Sequence, residues 1–107
     1  MFVDKDSYST IYLVPNSIIY NPGDQNVLYE YGVISSEPQK MDYTLDIFVD
    51  DTLTQTKHFS LNNGEKLEER VITAFPSEII NPKKITLNLT TGLKSESIHF
   101  WLNRTNL

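Results

Sequence analysis

Tyr43-Thr44-Leu45-Asp46-Ile47-Phe48-Val49 sets Tyr43, Leu45, Ile47 and Val49 against Thr44 and Asp46, and runs into Asp50-Asp51. A period of two puts successive side chains on opposite faces of a strand, so Tyr43, Leu45, Ile47 and Val49 line one face and direct it inward. The run Met41 to Val49 therefore reads as a half-buried strand. Thr52 to Leu61 is close enough to pair with it as a hairpin across Asp50-Asp51.

The same reading extends in both directions. Thr10 to Val14 is a β-prone run stopped by Pro15-Asn16, where proline removes a ladder donor and asparagine favours a turn, so it is an edge or first strand. Asn21-Pro22-Gly23-Asp24 is a turn signal, after which Val27, Tyr29, Tyr31 and Val33 alternate with Leu28, Glu30 and Gly32. Ser35-Ser36-Glu37-Pro38 ends that strand. Asn62-Asn63-Gly64-Glu65 contains Asn-Gly, the pair that accepts positive φ most cheaply, and predicts a tight hairpin. Glu65 to Arg70 has some helix propensity, but β-branched Val71, Ile72 and Thr73 assign the segment to a strand. Pro76 to Pro82 reads as a connection with room for one helical turn at Ser77-Glu78. Ile85, Leu87 and Leu89 alternate with Thr86, Asn88 and Thr90. After Thr91-Gly92, Ile98, Phe100 and Leu102 alternate with His99, Trp101 and Asn103.

Seven strands result, with no amphipathic helix long enough to cover a sheet. The expected fold is all-β: a seven-stranded antiparallel sandwich of immunoglobulin-like or fibronectin III-like type, one domain over residues 1–107. The chain has no cysteine and its only tryptophan lies in the last strand, which disfavours an antibody-type domain.

Composition excludes several functions. A net charge of -5 opposes contact with phosphate backbones and anionic lipid surfaces, so nucleic-acid binding is not expected. No run approaches the roughly 20 apolar residues of a membrane span. Met1-Phe2-Val3-Asp4 begins without the basic and apolar segments of a signal peptide, as a domain excised from a longer protein would.

The order of landmarks carries a resemblance. Tyr12-Leu13-Val14-Pro15, then Tyr43 to Asp51, then Phe59-Ser60-Leu61-Asn62-Asn63-Gly64-Glu65, and finally Ser97-Ile98-His99-Phe100-Trp101-Leu102 together resemble the extracytoplasmic sandwich of an archaeal family of predicted membrane proteins of unknown function. They are similar, more loosely, to bacterial adhesion-related modules of the CARDB type. The resemblance implies a cell-surface domain outside the membrane, attached through flanking transmembrane helices, with no catalytic residues to carry over. The polar stretch Ser35 to Lys40 departs from the tighter connection expected there.

Residues with chemical potential are few. The phase of the last strand points His99 and Trp101 away from the core, and Phe48 has the same phase in its own strand. Because the third and last strands of a sandwich usually share a sheet, Phe48, His99 and Trp101 can form one outer aromatic patch of the kind that marks interfaces. A one-residue slip or bulge would instead turn Trp101 inward. The tyrosines, including Tyr8, Tyr12 and Tyr20, serve equally as sheet surface or as a stacking platform for sugars. Asn88-Leu89-Thr90 and Asn103-Arg104-Thr105 match the glycosylation pattern, with Asn88 and Asn103 outward; ordinary polar surface explains them as well.

Asp50, Asp51, Asn62, Asn63 and Glu65 supply oxygen ligands suited to a hard cation, yet turn chemistry accounts for each. Glu65, Glu68 and Glu69 form a charge run of the sort that usually faces solvent. His58 and His99 have no neighbour at a metal-ligand spacing, and no nucleophile with its base is legible. The expectation is a non-catalytic interaction or spacer module without metal or cofactor, with an unknown protein or a glycan as partner.

Overall fold

The computed structural model describes residues 9–21, 23, 25–74, 83–92 and 94–102. The alternating runs become eight strands: β1 (Ser9–Leu13), β2 (Ile19–Asn21), β3 (Asn26–Ser35), β4 (Met41–Val49), β5 (Thr52–Leu61), β6 (Lys66–Ala74), β7 (Lys83–Thr91) and β8 (Lys94–Leu102). All pairings are antiparallel. The connection expected over 76–82, with its helical turn, lies outside the described residues.

β4 is the centre of one sheet, ordered β5-β4-β7-β8. Its hairpin with β5 closes at Val49 opposite Thr52, leaving Asp50 and Asp51 as the loop. Asp50 has φ of 54°, the sign that primed two-residue loops require at their first central position, and aspartate is one of the few residues that adopts it readily.

β3 is the centre of the other sheet. β6 pairs with β3 from Asn26 to Ile34, and β1 and β2 lie end to end along its opposite side. The expected count of seven strands is thus corrected to eight among the described residues. β2 was hidden because three residues between turn signals are too short to show a period. Pro15 and Asn16 bulge from the edge, with Asn16 at φ of 62°. Pairing continues across the break because Val14 N–H donates to Glu30 O at 3.0 Å and Ser17 Oγ accepts the Glu30 N–H at 3.0 Å.

The Asn-Gly segment is a second correction. It does not close a hairpin: β5 belongs to one sheet and β6 to the other, so the turn is a crossover. A type I′ hairpin needs positive φ at both central residues, and of Asn63 and Gly64 only Gly64 has it, at 83°. Tertiary contacts secure the turn instead. Gly64 N–H donates to Ser35 O at 2.8 Å, Ser35 N–H to Glu65 O at 3.0 Å, and the Glu65 carboxylate accepts the Asn62 N–H at 2.6 Å.

The two sheets pack face to face as a β-sandwich. The inward residues match the period-two reading: Val27, Tyr29, Tyr31 and Val33 from β3 meet Tyr43, Leu45 and Ile47 from β4 and Ile85, Leu87 and Leu89 from β7. Buried aromatics bridge the gap, with Tyr29 set edge-on to Phe100 at 5.1 Å between ring centroids. Their hydroxyls are satisfied, as burial requires. Tyr29 Oη pairs with Thr73 Oγ1 at 2.9 Å, and Tyr31 donates to Glu69 Oε1 at 2.9 Å.

Both seams between the sheets are closed by charge. Along β5 and β6, Glu69 points inward and takes Lys57 Nζ at 3.2 Å as well as the Tyr31 hydroxyl. The Tyr31 hydrogen bond, with the Lys57 ammonium behind it, holds the Glu69 carboxyl below its ordinary range. Glu69 is thus tied to the seam while its side chain stays partly in solvent, like the rest of the charge run. Along β1 and β8, Glu96 Oε1 accepts the Ile11 N–H at 2.8 Å, capping an edge donor that could otherwise pair with another chain.

Candidate functional site

The outer face of the β5-β4-β7-β8 sheet collects the aromatic residues singled out in the sequence. Phe48 on β4 lies opposite Thr86 on β7, and Thr86 lies opposite His99 on β8, so the three form one row across the sheet. Lys84 and Trp101 form the next row. Trp101 faces solvent, 52 % exposed, because Phe100 and Leu102 on either side of it are buried. The strand keeps its phase through this segment, and the alternative slip does not occur.

The indole is held on two sides. His99 packs edge-on at 6.4 Å between ring centroids, and the Lys84 ammonium sits 5.9 Å from the Trp101 ring centre, within cation–π reach. Phe48, Asp50, Asp51, Lys84, Thr86 and Trp101 line an open depression of about 540 Å³ at this end of the sheet.

Asp50 positions that end. Its N–H donates to Lys84 O at 2.7 Å, its Oδ1 accepts the Lys84 N–H at 3.1 Å, and Lys83 Nζ lies 3.3 Å from Oδ2. The Lys84 N–H, assisted by the Lys83 ammonium, keeps the Asp50 carboxyl below its ordinary range. Its contribution to stability is complete above the ordinary carboxylate range and is lost as pH falls through the depressed value. Asp50→Ala is expected to cost about 1–2 kcal/mol, from backbone strain at positive φ and the lost hydrogen bonds. Asp50→Asn tolerates that φ and is expected to cost clearly less; urea unfolding of both variants at neutral pH checks the difference.

The other residues of interest are dispersed. Asp50-Asp51 and Asn62 to Glu65 sit at opposite ends of β5, a strand of 10 residues, so they do not converge on a cation. Among the described residues no group of three His, Cys, Asp or Glu side chains could hold a metal ion. His58 lies on β5, three strands from His99 on β8, with Nδ1 3.3 Å from Thr44 Oγ1. Tyr12 lies across Gly32, where no β-carbon would fit, and donates to Glu68 Oε2 at 2.7 Å. Tyr20 packs toward the core. Neither shares a face with Trp101; Tyr8 lies outside the described residues.

Asn88 is on the outer face of β7, half-exposed between Asp46 and Ser97 and close to the middle of the sheet. Asn103 lies outside the described residues.

At the opposite end of the sandwich a cleft of about 200 Å³ contains Ser9, Glu37, Lys94 and Glu96. Glu37 is only 2 % exposed. Its oxygens are both engaged, Oε1 by Lys94 Nζ at 2.8 Å and Oε2 by Ser9 Oγ at 3.0 Å. This is a clasp joining the β3–β4 connection to β1 and β8. It explains the polar stretch from Ser35 to Lys40, whose Glu37 no periodicity marks as buried.

No protein-family model and no curated protein matches this chain. Among solved structures it is similar to a FixG-related protein from Vibrio parahaemolyticus, with a TM-score of 0.67 over 94% of this chain and 98% of that one. At 17% sequence identity the likeness is one of fold alone. No helix among the described residues is long and apolar enough to cross a membrane.

Lys84 and Thr86 are the site residues that the sequence reading missed as members of the patch. Extending the outward phase of Thr86, Asn88 and Thr90 back by one step reaches Lys84. What places it beside Trp101 is the β7–β8 register, which no single strand contains.

Proposed function

We propose that this chain is a non-catalytic interaction or spacer module of immunoglobulin-like type, and that its contact surface is the outer face of the β5-β4-β7-β8 sheet around Trp101. One observation carries the reading: a solvent-facing indole, supported by His99 and Lys84 and neighboured by Phe48. Exposed aromatic residues of this kind supply large contact area at low entropic cost, which is why they are enriched at interfaces. The immunoglobulin-like type is supported by strand order. β1-β3-β6 and β8-β7-β4-β5 correspond to the A-B-E and G-F-C-C′ arrangement, with β2 as an extension of the first strand. An extracytoplasmic, membrane-anchored setting follows from the archaeal family resemblance.

The test is photo-crosslinking in cells from position 99 of the full-length protein, beside the indole. The reading expects a discrete adduct that disappears with Trp101→Ala, while the melting temperature stays within a few degrees because the indole is half out in solvent. A crosslink pattern unchanged by Trp101→Ala would overturn it.

A second reading has a specific observation in its favour. The Thr86 hydroxyl, the Lys84 ammonium and the Asp50 and Asp51 carboxylates surround the aromatic walls of the depression, and such a mixture suits a sugar ring stacked on indole. Trp101 is the only tryptophan, so intrinsic fluorescence reports this face alone. A saturable blue shift on titration with oligosaccharides is the expected result. An emission spectrum unmoved by any sugar tested would remove the glycan reading and leave the protein one standing.

A further inference from the structure

The opposite surface of the sandwich carries an apolar ladder that the core does not use. Ile19 on β2, Leu28 on β3 and Ile72 on β6 are direct cross-strand neighbours. All three lie on the outer face of their sheet, since their flanking residues Tyr20, Val27, Tyr29, Val71 and Thr73 turn inward. Ile19 is 52 % and Ile72 56 % exposed. Side chains opposite one another in an antiparallel pair stand about 5 Å apart, so the ladder is one continuous ridge. Scattered exposed apolar residues need no explanation, but a contiguous row of branched aliphatics across three strands does.

We propose that this ridge is the interface of a symmetric dimer, occupied by the same ridge of a second copy. Charge selects that occupant. The chain has a net charge of -5, yet among the described residues the outer face around the ladder is balanced: Glu30 faces Arg70 at 3.7 Å, and Glu68 has Lys66, two residues back on β6, at 4.0 Å. The outer face of the other sheet carries Asp42 and Asp46 and ends in Asp50-Asp51. There the four aspartates outnumber Lys83 and Lys84, so two copies meeting on that face would bring together two net-acidic surfaces, whereas two copies meeting over the ladder do not.

Symmetry supports the same choice. With the two-fold axis along the ladder, Ile19, Leu28 and Ile72 each meet their own counterparts. The Glu30–Arg70 row then lies over the Asn26–Ala74 row of the other copy, so among these described rows no like charges meet and the Asn26 amide can donate to a carboxylate. Such an interface is isologous and closes at two copies. It leaves the Trp101 face, on the other sheet, free for its own partner.

Sedimentation of the 107-residue chain at up to about 100 µM, a range that includes weak interfaces, tests the proposal. The wild-type chain is expected to sediment as a dimer at the upper end. Ile72→Glu, at an exposed position that leaves the core intact, is expected to weaken association at least about 30-fold, the loss typical of an interface hot spot. Ile19→Ser is a milder second variant, and Arg70→Glu, which makes the face acidic, is expected to weaken association as well. Trp101→Ala is expected to remain dimeric, so failure of the dimer and failure of the Trp101 reading are separable. A wild-type chain that stays monomeric overturns the proposal, whether its ridge is left to water or taken by a different partner. So does a dimer that survives Ile72→Glu with a folded far-ultraviolet spectrum.

Discussion

Leu45→Ala is expected to lower the unfolding free energy by about 2–5 kcal/mol, the cost of a cavity at a site whose neighbours relax only in part. Leu45 is fully buried at the centre of β4, opposite Leu89 on β7 and beneath the β3 layer. For a domain of this size the loss is a large share of a total stability of about 5–15 kcal/mol. Leu53→Ala provides the contrast. Leu53 lies in the neighbouring strand but is exposed, and its truncation is expected to change stability by no more than about 0.5 kcal/mol. Urea unfolding of both variants measures the difference directly. Near-equal costs would mean that the gap between the sheets is not packed as described.

Alkaline pH is expected to unfold the domain sharply, because two phenols of β3 are buried between the sheets. Burial pushes the Tyr29 hydroxyl up to about 12, partly offset by its bond to Thr73. Burial raises Tyr31 further, and the Glu69 carboxylate that it meets adds to the effect. In the unfolded chain both ionise near pH 10. A pKa raised in the folded state means that the contribution is complete below about pH 10 and is lost as pH rises through the folded values. For Tyr29 alone the loss amounts to roughly 2–3 kcal/mol at high pH. Tyrosinate absorbance should therefore rise late and cooperatively, together with loss of the strand signal in circular dichroism. Tyr29→Phe gives up one hydrogen bond, about 1 kcal/mol at neutral pH, yet should unfold at a higher pH than the wild-type chain. Titration of all tyrosines near pH 10 with the sheets intact would contradict the arrangement.

These two effects come from the same property of the chain, and it was legible early. Every residue of the inner faces of β3, β4 and β7 occupies the phase that the alternation of Val27 to Val33, Tyr43 to Val49 and Ile85 to Leu89 assigns to it. The outward phase of Phe48, His99 and Trp101 was equally readable. β2 was not, because Ile19 to Asn21 has no length over which to show a period and depends on Ser17 re-engaging Glu30 across the Pro15-Asn16 break. The Asn62-Asn63-Gly64 segment is legible as a turn, but its role as a crossover between sheets is not. Residue preference reports that positive φ is affordable; it does not report whether the strand that follows stays in the sheet.

By itself, then, the order of residues determined which side of each strand is apolar, and hence that two sheets must cover one another, because hydrocarbon in period-two rows has nowhere else to be buried. It also determined what chemistry is missing, since a chain without cysteine has no thiol to use. Only the tertiary structure decided which strands are neighbours. Pairing register brought Lys84 beside Trp101, Glu30 beside Arg70, and Ile19, Leu28 and Ile72 into one ridge. Such juxtapositions join residues from 9 to 44 positions apart through hydrogen-bonded ladders, and no single strand's pattern encodes them.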